Sequence, residues 1–194
     1  MKKSMSKKEA TVKICVLALM TALCFVGNYL SVPVATIGGS TTRIHFGNVF
    51  CLLSGLLLGP IGGGLAAGLG AFLYDLTNPL YIAEAPITFV LKFAMGAICG
   101  AIAHSCSRKG RSLTWNLVGG ISGALSYVVL YLTKGFIMDV FVKSLEVGTA
   151  MLNLYTKAIV SSINGIIAVA VAVPLAFAIR KALSASHLDT ALFK

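Results

Sequence analysis

Two polar trios interrupt otherwise apolar stretches of this 194-residue chain: Tyr127, Tyr131 and Lys134, and then Lys157, Ser161 and Asn164, each spaced i, i+4, i+7. That spacing sets each trio along one helical stripe. Amines, amides, hydroxyls and phenols of this kind donate and accept hydrogen bonds, and a buried ammonium needs such acceptors. Lys134 falls near the end of one apolar run and Lys157 near the start of the next, so antiparallel helices bring them to a similar depth. A lysine at the centre of a membrane helix costs roughly 2.5–3.5 kcal/mol, which argues for a hydrated pocket around the pair. Snorkelling lysines and an interfacial tyrosine belt are the alternative. Arg43, His45 and Asn48 form a third polar group, just ahead of an apolar run. Lys92, between Phe89 and Phe93, is a fourth candidate, with Glu84 and Asp75 as its expected counter-ions and Tyr74, Asn78 and Tyr81 at the same rim. An ion pair between helix ends and a ligand contact are both open for Lys92.

Bond-breaking chemistry has no matching constellation. His45, His104 and His187 are far apart in sequence, and neither HExxH nor GxSxG occurs. Cys15, Cys24, Cys51, Cys99 and Cys106 show no CxxC spacing, so they read as structural thiols and no metal site or cofactor is expected. Asp75, Glu84, Asp139 and Glu146 fall in or beside connections between apolar runs, which leaves no intramembrane carboxylate relay.

The elements that must position these groups are membrane helices. The chain is 57% hydrophobic and only 11% charged, against roughly 45–50% and 25% in soluble domains. Apolar runs predict helices near 12–30, 47–59, 61–77, 87–104, 115–139 and 153–181. The fold class read here is an all-α integral membrane protein of six transmembrane helices. The chain forms a single membrane domain over 1–194: a basic cytoplasmic N-terminus (1–11), the six-helix bundle (12–181) and a cytoplasmic tail (182–194). The first run is long enough to span the bilayer and lacks a clean cleavage site, so it reads as a helix and not a signal peptide. The formal charge of +10 does not indicate nucleic acid. Lys2, Lys3, Lys7, Lys8 and Lys13, then Arg108, Lys109 and Arg111, then Arg180, Lys181 and Lys194 flank apolar runs, which places both termini and the 105–114 loop in the cytoplasm. No length remains for a nucleotide-binding domain, so any energy source must come from a partner.

The second run, over 46–58, would be about 20 Å long, too short for a hydrocarbon core of about 30 Å. The 31–46 connection must therefore dip inward, where irregular backbone is tolerated only around a cavity. Arg43, His45 and Asn48 would line that vestibule, with Gly38 and Gly39 in a lid or a plain connector. Gly55/Gly59, Gly64/Gly68, Gly96/Gly100, Gly119/Gly123 and Ala18/Ala22 have the four-residue spacing of close helix contacts. For Ala18 and Ala22, internal packing and an external partner helix are both open.

The ordered features resemble one known family. A basic N-terminus, the AxxxA helix, a gating loop, RIHFGNVFCLLSGLLLGPIGGGLAAGLGAFLYDLTNP and then APITFVLKF are similar to the substrate-binding S component of energy-coupling factor vitamin importers. The resemblance implies a six-helix capture subunit in a prokaryotic plasma membrane, docked through Ala18 and Ala22 onto a membrane coupling protein, the T component, that carries two cytoplasmic ATPases. It also implies toppling of the subunit in the bilayer to deliver a vitamin. Pantothenate, riboflavin, pyridoxine and a thiamine precursor all remain open as the ligand. Arg43, Lys92, Lys134, Lys143 and Lys157 outnumber the nearby acids by one, which leans toward a carboxylate or a polarised ring carbonyl. A stand-alone secondary carrier, for which paired broken helices and inverted repeats are missing, and an integral-membrane lipid-modifying enzyme are the competing classes.

Overall fold

A computed structural model describes residues 7–185; Lys2, Lys3, His187, Lys194 and most of the expected tail lie outside the described residues. Among the described residues, five helices are long and apolar enough to cross a membrane. These are α1 (Lys7–Tyr29), α2 (Gly47–Thr77), α3 (Ala85–Ala103), α4 (Leu113–Ile137) and α5 (Val147–Ala185). Short 3-10 turns at Ile82–Glu84 and Ser105–Ser107 flank α3, and a π turn at Met138–Val142 extends α4.

The two apolar runs expected over 47–59 and 61–77 form one helical element with a break. Gly59 has φ 76° and ψ −169°, a conformation that favours glycine, and Pro60 removes a backbone donor. The Ser54 hydroxyl lies 3.0 Å from the Gly63 carbonyl, whereas nine residues of straight helix would separate them by about 13 Å. The two arms of α2 therefore fold back on each other. Glycines make the contact close: a Cβ on Gly55 would sit 2.5 Å from the Gly96 carbonyl oxygen, and one on Gly96 would sit 2.7 Å from that of Gly63. Gly119 and Gly123 of α4 likewise approach the Cys99 and Met95 carbonyls of α3. Leu52, Leu53, Leu56, Met95, Cys51 and Cys99 fill the core around α2.

The fold is an all-α membrane bundle, and the expected loop over 31–46 is a two-stranded β-hairpin set into it. Strands β1 (Ser31–Ala35) and β2 (Thr41–His45) pair antiparallel with Val34 opposite Thr42 and Ser31 opposite His45. The reason is local: Val32, Val34, Thr41, Thr42 and Ile44 favour extended backbone, while Gly39 at φ 81° and the Thr36–Ser40 hydrogen bonds close the turn. Thr42 and His45 are buried within the bundle.

α5 holds this hairpin at both ends. Asn164 accepts the His45 amide at 3.1 Å and donates to the Arg43 carbonyl at 2.7 Å. Asn153 accepts the Thr36 hydroxyl and donates to Ser40 Oγ at 3.3 Å. Eleven helical residues span about 17 Å, close to the length of a five-residue strand, so the two asparagines match the hairpin's ends.

Candidate functional site

A cavity of about 300 Å³ opens between the hairpin, the second arm of α2, α3, α4 and α5, remote from the Gly59 break. Arg43, His45, Lys92, Tyr127, Tyr131, Lys134, Lys157, Ser161 and Asn164 line it. The structure thus brings nine of the sequence-derived candidates to one space. Asn48 and Tyr74 stand one layer behind, where Asn48 Oδ1 accepts from the Lys92 ammonium and the Tyr74 hydroxyl accepts from Arg43.

Each wall is set by its own element. On β2, the Arg43 guanidinium lies over the rings of Tyr74 and Tyr81, at 4.8 and 4.4 Å from their centroids. On α4, one helical turn stacks Tyr127 on Tyr131 with centroids 5.7 Å apart, and the Tyr131 hydroxyl lies 3.2 Å from Thr42 Oγ1 of the hairpin. On α3, Lys92 Nζ sits 4.0 Å from the Tyr127 centroid. On α5, Lys157, Ser161 and Asn164 follow one face; Ser161 donates to its own helix at the Ala158 carbonyl, and Asn164 holds the hairpin backbone.

Two charge assignments differ from the sequence reading. Glu84 pairs with Lys134 and not with Lys92, because Lys92 lies eight residues, about 12 Å of helix, deeper along α3. Among the described residues no carboxylate, Asp75 included, comes within 4.0 Å of Lys92. Asp139, expected in or beside a connection, is only 1% exposed and accepts from Lys157 at 2.8 Å and Lys143 at 2.9 Å. The π turn places it there, by carrying one more residue per turn than the α-helix it extends. Sequence reasoning also missed Asn153, whose partners lie more than a hundred residues away. A useful signal was present, since 153, 157 and 164 share one helical face.

Burial pushes the His45 imidazole well below its ordinary pKa, and the nearby Lys92 and Arg43 charges add to the effect. His45 is therefore neutral at physiological pH, and its Nδ1 has no hydrogen-bond partner among the described residues. Of the three histidines, His45 lies at the cavity and His104 at the other end, where it hydrogen-bonds the Leu56 carbonyl. The buried thiols of Cys24, Cys51 and Cys99 are free.

Stacked phenol rings, a fixed guanidinium, paired lysines and one buried ammonium surround one open cavity in a bundle of membrane-length helices, an arrangement suited to a polar small molecule. The model of the family described as "ECF-type riboflavin transporter, S component" matches residues 8–181, and the chain belongs to that family. It is a multi-pass membrane protein and a substrate-binding subunit of an ECF-type vitamin transporter, not an enzyme. Members of this family bind a small vitamin and work with T and ATPase modules. The chain is also 33% identical, over 68% of its length and 80% of the other, to a Pyrococcus woesei protein described as "Uncharacterized protein in gap 3'region".

Proposed function

We propose that the chain captures riboflavin, or a close flavin relative, for an ATP-driven importer in a prokaryotic plasma membrane. The observation that carries this reading is the cavity: stacked Tyr127 and Tyr131 beside Arg43 and Lys92 offer flat surfaces and donors to a planar ring rich in carbonyl oxygens. Its volume of about 300 Å³ lies at the lower end of the roughly 300–1,000 Å³ typical of small-molecule sites. Arg43, His45, Asn48, Tyr74, Lys92, Tyr127, Tyr131, Lys134, Lys157, Ser161 and Asn164 form the proposed site and its support.

In this reading the chain crosses the bilayer six times, with the arms of α2 as two crossings and both termini cytoplasmic. The cavity then opens outward. Lys13, Arg108, Lys109, Arg111 and Arg180 gather toward the Gly59 end, as the positive-inside rule requires of a cytoplasmic end. Ala18 and Ala22 are exposed on α1 together with Ile14, Leu19 and Val26, a face on which small side chains let the helix of a coupling protein approach. The coupling protein in turn carries two cytoplasmic ATPases.

Calorimetric titration of the purified chain with riboflavin, pantothenate, pyridoxine and thiamine tests the ligand. Saturable binding of riboflavin in preference to the others is the expected result, and its absence overturns the flavin assignment. Replacing both Ala18 and Ala22 by Trp should abolish co-purification with the coupling protein while ligand binding persists.

A further inference from the structure

The charges around the cavity are not equivalent. Lys134 is paired with Glu84, and Lys157 shares Asp139 with Lys143, which is half-exposed. Lys92 is different. It is 2% exposed, it lines the cavity, and its near neighbours are the neutral amide of Asn48 and the Tyr127 ring. An ammonium presents three donors, and neither a neutral amide nor a ring face cancels its charge. A buried cation of this kind is costly unless an opposite charge or a strong acceptor reaches it. The groups that face it are Arg43 and His45 from β2, Asp75 and Cys51 from α2, Cys24 from α1 and Tyr127 from α4. His45 is neutral, Arg43 adds positive charge, and Asp75 opposes it from beyond ion-pair distance.

We propose that Lys92 is the specificity-determining donor of the site: its ammonium takes an oxygen at the polar edge of the ligand's ring, while the ion-paired Lys134 and Lys157 brace the walls. The proposal rests on the flavin reading above. The pyrimidine portion of a flavin presents two carbonyl oxygens on either side of an N–H that loses its proton in alkali. A cation held against either oxygen strengthens the bond to the ring and favours the deprotonated ring. It selects against planar rings that lack an acceptor at that edge, because the buried ammonium would then keep only the neutral Asn48 amide and the Tyr127 ring.

Riboflavin is titrated into the full chain in detergent, for wild type, Lys92→Met and Lys92→Arg. The absorbance of bound flavin is then followed as pH is raised. The expected result is that wild-type protein lowers the pH at which bound flavin ionises relative to free flavin. Lys92→Met should weaken binding by about ten-fold or more and lose the shift, and Lys92→Arg should keep part of both. Wild-type affinity in Lys92→Met, or an unshifted ionisation in the wild-type complex, overturns the proposal and leaves the flavin reading standing. If Lys92→Met does not fold, the wild-type shift and the Lys92→Arg affinity decide. Failure of wild-type protein to bind riboflavin overturns the flavin reading and this proposal together.

Discussion

The two ends of the bundle use similar polar side chains to opposite purposes. At the Gly59 end, the Leu56 carbonyl left free by the helix break accepts from His104 at 2.8 Å and from Arg180 at 2.6 Å, and the Gly110 carbonyl accepts from Asn116 at 2.8 Å. Polar groups there repair the backbone. At the cavity end, Arg43, Lys92, Lys134 and Lys157 meet side chains and rings and face a common space. A buried lysine or arginine in a membrane protein is thus informative only once its partner is known, since a backbone carbonyl partner marks architecture and an open cavity leaves donors for a ligand.

The largest effect that would break this contrast is expected at Asp139. Changing Asp139→Ala leaves Lys157 buried without its counter-charge and should cost about 3–5 kcal/mol, seen as a large drop in the melting temperature of the ligand-free protein. The double change Asp139→Asn with Lys157→Met should recover much of that loss. At the other end, Gly55→Val drives a side chain toward the Gly96 carbonyl, 2.5 Å from where its Cβ would sit, and should cost about 1–3 kcal/mol. The affinity of the protein that remains folded should be unchanged in a ligand titration, because Gly55 does not line the cavity.

A third expectation concerns pH. Because the folded pKa of His45 lies below its ordinary value, the unfolded chain takes up the proton first as pH falls. Stability should therefore drop below about pH 6.5 by up to about 1.4 kcal/mol per pH unit, until the folded imidazole also titrates. Thermal melts of wild type and His45→Gln across pH 5–7 check it: the slope should flatten in the variant. The smallest effect is expected at Asn153→Ala, which frees the hairpin tip and should cost about 1 kcal/mol. Stopped-flow fluorescence should show faster ligand entry and release with a lesser change in equilibrium affinity.

How much of this was legible in the sequence follows from the range of each interaction. Apolar runs and the Gly59-Pro60 pair carry their meaning locally, so the helices and the fold-back of α2 follow from spacing alone. The i, i+4, i+7 trios are equally local, and their members do line one cavity. What was not legible is pairing across the chain. Nothing near Lys134 in sequence points to Glu84, fifty residues earlier, and nothing near Asn153 points to Thr36. The hairpin was missed for another reason: the small polar residues around Gly38 and Gly39 signal a turn, but a signal for strands lay only in the alternation of Val32 and Val34 and in the β-branched run of Thr41, Thr42 and Ile44.

The bond from Arg180 to the Leu56 carbonyl joins residues 124 positions apart, and that separation bears on how the chain is made. A polypeptide leaves the ribosome N-terminus first, so the hairpin of α2 is synthesised and inserted long before Arg180 exists. Until then His104 is the one of the carbonyl's two partners already made, and before α3 is complete neither exists. The break in α2 is therefore a late-closing joint, completed only when the last helix arrives to clasp it.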